Sequence, residues 1–162
     1  MKIFNYSTQS IDKKDILAVV KTLKSKYLTK GNVTLDFEKK IKDFCKCKYV
    51  CATINASASL LMACKSLGIN KNDYVWTSNI TYIASINCAL HLGAKIKLID
   101  IDTTNNLCIQ SLKKELLSAK KKNKLPKAII IVHLSGLPCD LKKIKNLSKI
   151  YNFKIIEDAS HA

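Results

Sequence analysis

The 162-residue chain contains no arginine: all 28 of its basic residues are lysines, set against 12 acidic residues for a net charge of +16. That absence bears on chemistry, because the guanidinium fork is the usual bidentate clamp for carboxylate and phosphate. Anions must here be held by lysines, hydroxyls and backbone N–H groups. The side chain that most often reads guanine is missing as well, and no zinc-finger or RNP-type pattern replaces it. The lysines are spread along the whole chain. They read as solvated helix faces with a general pull on anions, and no nucleic-acid partner is expected.

Glycine and proline are scarce, at four and two residues, and no linker, repeat or low-complexity tract divides the chain. The length fits one domain of ordinary size, and the 48% hydrophobic content excludes wholesale disorder. No apolar run approaches the roughly 20 residues of a transmembrane helix, and no signal peptide is evident. A soluble, cytoplasmic protein without a membrane partner is expected. Cysteines stand at positions 45, 47, 51, 64, 88, 108 and 139. An odd count in apolar surroundings reads as reduced thiols. Cys45, Cys47 and Cys51 form C-x-C-x3-C, which is not a paired zinc knuckle; they read as small buried side chains, and no metal is expected.

What is present is a regular alternation. Asp12 opens a segment in which Ile16, Leu17, Val20 and Leu23 share a face, which predicts a capped helix over Asp12–Ser25. Phe37, Ile41 and Phe44 mark a second, short helix. Strands are predicted at Tyr49–Ile54, Tyr74–Ser78, Ala94–Asp100, Ala128–Leu134 and Phe153–Glu157. Helices are predicted near Ala56–Leu67, Tyr82–Leu92, Ile109–Lys122 and Asp140–Tyr151. The unbroken apolar run Ile129-Ile-Ile-Val132 is that of a strand covered on both faces. Strand alternating with helix implies an α/β fold with a largely parallel sheet, whose ligands bind beyond the carboxyl ends of the strands.

Those ends carry the candidate chemistry. Ile54-Asn-Ala-Ser-Ala-Ser59 places small and hydroxyl residues where a strand turns into a helix, with Ser57 and Ser59 as donors to an anion. It matches neither dinucleotide-binding nor P-loop glycine patterns, and small residues equally serve tight helix–sheet packing. Tyr82 is either a stacking plate for a planar cofactor or a cap on the core. Asp158 in Glu157-Asp-Ala-Ser-His-Ala162 is either the partner of a protonated ring nitrogen, with His161 in the same pocket, or a helix N-cap.

In order along the chain, Tyr27-Leu-Thr-Lys-Gly31, Phe37-Glu38, Asn55-Ala-Ser-Ala-Ser-Leu60, Val75–Ser85, Ile99-Asp-Ile-Asp102, Val132-His-Leu-Ser-Gly136 and Ile156–Ala162 resemble the sugar-nucleotide aminotransferases of the DegT/StrS type. The resemblance implies the large domain of a pyridoxal-phosphate-dependent transferase of the aspartate aminotransferase type (fold type I), present incompletely. Residues 1–32 would be an N-terminal arm and helix, and 33–162 the first part of the cofactor-binding large domain. Val75–Ser85 with Asn87-Cys-Ala-Leu90 and Cys139-Asp140 look most like the pseudaminic-acid branch. That likeness implies transfer of an amino group from L-glutamate to C4 of a UDP-linked 4-keto-6-deoxy-N-acetylhexosamine.

By the same resemblance, Ala56 and Ser57 hold the phosphate of pyridoxal 5'-phosphate, Tyr82 stacks on its ring, Asp158 pairs with the ring nitrogen and His161 lies near the cofactor. Tyr6, Lys26, Tyr27, Leu28, Thr29 and Ala56 would touch the nucleotide sugar, and the complete enzyme would be a homodimer. Asn79 departs from a usual proline and Ser59 from a usual alanine. The family's Schiff-base lysine lies downstream of the E-D-A-x-H-A motif, so an amino-terminal portion without that catalytic residue is expected. The alternatives are an inactive truncated remnant and a non-catalytic nucleotide-sugar-binding α/β module.

Overall fold

The computed structural model describes residues 8–29 and 31–162, which form two compact units divided after Ala52. In the first unit, helix α1 (Lys13–Leu23) starts where the sequence predicts. Asp12 accepts from the N–H groups of Lys14 and Asp15, and the Asp15 carboxylate accepts from the Asp12 N–H in return. This reciprocal cap satisfies amides that the first turn leaves without acceptors. Helix α2 (Asn32–Cys45) runs for 14 residues, longer than expected, and stops at Lys46 in the left-handed conformation with φ 51°.

The strand expected over Tyr49–Ile54 does not form. An alternating apolar run becomes a strand only where a neighbour completes its hydrogen-bond ladder. Here the Ala52 N–H donates instead to the Glu38 carboxylate at 2.8 Å. Cys45 and Cys51 are exposed and Cys47 half-buried, so the expectation of buried side chains at this cluster is corrected as well.

The second unit is a parallel sheet between two helical layers. Helix α3 (Ala56–Ser66) leads to β1 (Tyr74–Ser78), α4 (Ala84–Leu90), β2 (Lys95–Ile99), α5 (Ile109–Lys121), β3 (Ala128–Val132), α6 (Leu141–Tyr151) and β4 (Lys154–Asp158). Strand order is β2-β1-β3-β4. All five residues of β3 are buried, as the isoleucine run requires of a strand covered on both faces. Alternate residues serve opposite layers. Ile129 and Ile131 pack with Leu112 and Leu116 of α5 and Ile144 and Leu147 of α6. Ala128 and Ile130 pack with Leu60 and Cys64 of α3 and Cys88 and Ala89 of α4.

This order positions the site. From β1 the chain moves outward to β2, then returns across β1 to lay β3 on its other side. The connections leaving the neighbouring strands β1 and β3 run in opposite directions, to β2 and to β4, and so open a crevice between them at the carboxyl end of the sheet. The segments bordering it are Asn79–Ile83, which follows β1, and the 3-10 turn Leu134–Gly136, which follows β3.

Candidate active site

Asp158 ends β4, paired in register with Val132 at the end of β3, and is 7% exposed. A carboxylate is costly to bury unless donors replace its water. Here Oδ2 accepts from the Ser85 hydroxyl at 3.0 Å, and Oδ1 accepts from the Ser160 hydroxyl at 2.6 Å and the Ser160 N–H at 3.2 Å. Ser85, fully buried in the first turn of α4, is in turn within 3.0 Å of the Thr81 hydroxyl. Oxygens of a carboxylate have about four lone-pair directions, so these bonds leave room for one more cationic N–H. Among the described residues no helix follows Asp158, and its donors are the Ser85 hydroxyl and the local turn at Ser160.

Ala56 and Ser57 occupy the first two positions of α3. Asn55 caps the helix by accepting from the Ala58 N–H at 2.9 Å. The amides of Ala56 and Ser57 have no acceptor within the helix by its geometry, so they and the Ser57 hydroxyl make up one group of donors at the start of α3. Ser59 is not part of it, because its hydroxyl lies 2.5 Å from Thr53 Oγ1 and 3.4 Å from the Asn55 carbonyl. Ser57 and Tyr82 line one cleft of about 330 Å³ between α3 and the start of α4, together with Leu61, Asn87 and Cys88. Tyr82 is 72% exposed, so it does not cap the core.

His161 lies against the turn after β3. Its Nδ1 accepts the Ser135 N–H at 3.2 Å. Gly136, at φ +82°, comes so close that an added Cβ would lie 2.8 Å from the His161 carbonyl oxygen. The turn after β3 and the segment after β4 are therefore held together.

Three polar residues in this region carry roles that the sequence reading did not assign. Ser85 fixes Asp158 from 73 positions away, a distance no local pattern bridges. His133, 5% exposed, accepts the Cys139 N–H on Nδ1 at 3.2 Å; Nε2 then carries the proton and faces Glu157 at 3.2 Å. Buried Asn106 donates to the Leu137 carbonyl at 2.9 Å and accepts the Leu134 N–H at 3.2 Å, which pins the turn after β3. The Val132-His133 pair stood within a noted motif; Asn106 gave no local signal.

Among the expected sugar contacts, Tyr6 lies outside the described residues. Tyr27 and Leu28 are exposed, and the Lys26 ammonium stands 5.4 Å from the Tyr27 ring centre. Thr29 is exposed too. These residues belong to the first unit, and Ala56 to the second.

The comparisons with known proteins agree with this architecture. The sequence profile of the DegT/DnrJ/EryC1/StrS aminotransferase family matches residues 9–162. The chain is 35% identical over 160 residues to a UDP-4-amino-4,6-dideoxy-N-acetyl-beta-L-altrosamine transaminase of Campylobacter jejuni, covering 99% of this chain and 42% of that protein. It superposes with a TM-score of 0.90 and 28% identity on Helicobacter pylori PseC, an aminotransferase of pseudoaminic acid biosynthesis, covering 99% of this chain and 42% of that one. The sugar aminotransferase Spr1654 of Streptococcus pneumoniae, solved in PLP and PMP forms, matches with a TM-score of 0.87 and 25% identity over 98% of this chain and 43% of that one. The chain thus spans less than half the length of these relatives. No described helix is long and apolar enough to cross a membrane. With its profile match over nearly every residue and its parallel α/β fold, the chain belongs to the DegT/DnrJ/EryC1/StrS family, whose members are pyridoxal-phosphate-dependent aminotransferases.

Proposed function

We propose that residues 53–162 bind the cofactor in a pyridoxal-phosphate-dependent UDP-sugar 4-aminotransferase, taking the amino group of L-glutamate to C4 of a UDP-linked 4-keto-6-deoxy-N-acetylhexosamine. The observation that carries this reading is the buried Asp158 carboxylate at the end of β4, satisfied by hydroxyl and amide donors with capacity for one more. The similarity to the altrosamine transaminase supports the UDP-linked sugar; the L-glutamate donor rests on the family resemblance.

The residues present fit the cofactor. The free amides of Ala56 and Ser57 and the Ser57 hydroxyl would hold its phosphate, and Tyr82 would lie against its ring. The Asp158 carboxylate would accept the ring N–H and keep that nitrogen protonated. The bound cofactor supplies an electron sink for a carbanion at the carbon that gains or loses the amine. The chain's own residues orient it: Ser85 and Ser160 stop the Asp158 carboxylate from rotating, and His161 closes the edge beside the turn after β3. Tyr6, Lys26, Tyr27, Leu28 and Thr29 are assigned to the nucleotide sugar, with residues 1–32 as an arm and 33–162 as the first part of the large domain. The Schiff-base lysine belongs to sequence downstream of the E-D-A-x-H-A motif. A homodimeric assembly and a cytoplasmic location complete the proposal, the latter supported by the odd cysteine count.

The test is to incubate the polypeptide containing these residues and the downstream lysine segment with L-glutamate and either UDP- or dTDP-linked 4-keto sugar. Amination at C4 of the UDP sugar is expected. Reaction with the dTDP sugar alone would move the protein to another branch, and reaction with neither would favour an inactive remnant.

A further inference from the structure

Two buried thiols stand beside the cleft without a role in the chemistry above. Cys64 lies in α3, two turns beyond Ser57, and Cys88 lies in α4, one turn beyond Ser85. They are 0% and 3% exposed, and their sulfurs are 3.7 Å apart. The Cys64 thiol donates to the Cys88 sulfur, and the Cys88 thiol donates to the Ser85 carbonyl at 3.6 Å. Cys88 also lines the Ser57–Tyr82 cleft. At about 330 Å³ that cleft is some ten times the roughly 30 Å³ of a water molecule, so a small hydroperoxide can enter it.

We propose that Cys64 and Cys88 are an oxidisable dithiol, a modification site whose co-reactant is a hydroperoxide and whose disulfide draws α3 and α4 together and alters the cleft between them. Hydrogen peroxide entering the cleft transfers one oxygen to Cys88, giving the sulfenic acid and water. The Cys64 thiol then attacks that sulfur, forms the S–S bond and releases a second water. In sum, two thiols lose two electrons and two protons, and one peroxide becomes two waters. Bond formation brings the sulfurs from 3.7 Å to about 2.05 Å. The helices that carry them also carry Ser57 and border Tyr82, so the motion is transmitted to both walls of the cleft. Cys139 is an internal control. It is equally buried, but its thiol donates to the Val132 carbonyl at 3.2 Å.

The formation of the disulfide is independent of the proposed function; its effect on cofactor binding rests on it. The experiment uses the chain of residues 1–162 with Cys45, Cys47, Cys51 and Cys108 changed to serine, treated with hydrogen peroxide and mapped by peptide mass spectrometry after alkylation. A 64–88 disulfide reversed by dithiothreitol is expected, with Cys139 alkylated in full. Cys64→Ala should leave Cys88 as a sulfenic acid trapped by dimedone. The wild-type chain under differential alkylation gives the same readout should the serine variant fold poorly. Pyridoxamine 5'-phosphate affinity should change at least threefold between reduced and oxidised chain. Absence of the crosslink in folded protein, or equal crosslinking to Cys139, overturns the dithiol; an unchanged affinity overturns its action on the cleft. Should the reduced chain bind no pyridoxamine phosphate, the cofactor reading fails while the mass measurement still decides the dithiol.

Discussion

The Ser85 hydroxyl donates to the Asp158 carboxylate at 3.0 Å, across 73 positions of sequence, and so ties the first turn of α4 to the end of β4. Both residues are buried, so the bond replaces water that neither can reach. Ser85→Ala should destabilise the chain by about 1.5–3 kcal/mol, the cost of losing a hydrogen bond to a charged group. Urea denaturation measures it; a change below about 0.5 kcal/mol would mean that the carboxylate finds another donor.

Ser57→Ala should leave stability nearly unchanged, because the side chain is exposed. It should weaken pyridoxamine 5'-phosphate binding by about 1–3 kcal/mol, which calorimetric titration reads. Equal affinity in the variant would move the phosphate site away from α3.

Ile130 sits in the central strand, fully buried against α3 and α4. Ile130→Ala should cost about 2–5 kcal/mol through lost burial and a residual cavity. A cost under about 1 kcal/mol in a urea titration would show that the α3–α4 layer is loosely packed.

Asp140 caps α6 by accepting the Lys143 N–H at 3.0 Å, and its pairing with Lys143 holds its carboxyl below the ordinary 3.8. The group is depressed in the folded state, so its contribution is present above about pH 3.8 and is lost as pH falls through the lower folded value. Amide exchange in the first turn of α6 should accelerate on acidification through this range. Asp140→Ala should already show the faster exchange at pH 7.

The parts of this fold legible in the sequence are those governed by local pattern. β1 ends where expected, the other strands fall within two residues, and α3, α5 and α6 follow their apolar periodicity. The Asp12 cap is likewise a short-range signal. Val50 and its neighbours misled because alternation reports a pleated surface without reporting a partner, and Glu38 takes the Ala52 amide. Among the candidate site residues, Tyr82 and Asp158 are legible from their places at the ends of β1 and β4, and Ser57 and His161 only from motif, since among the described residues no strand forms before α3. The residues that hold them are not, since the links from Ser85 to Asp158 and from Asn106 to the turn after β3 are made only when the sheet assembles.

The central claim is that Ala56, Ser57, Tyr82 and Asp158 form one cofactor site. Pyridoxal phosphate is a poor probe of it, because its aldehyde condenses with any of 28 lysines. Pyridoxamine 5'-phosphate has no aldehyde and reports the pocket alone. The decisive measurement is a ¹H–¹⁵N NMR titration of residues 1–162 with this ligand, repeated with Asp158→Asn. The account predicts saturable shifts confined to the first turn of α3, the Tyr82–Ser85 segment and the end of β4, weakened in the variant. Shifts scattered over the lysine-rich helix faces, with those three segments unmoved, would contradict it.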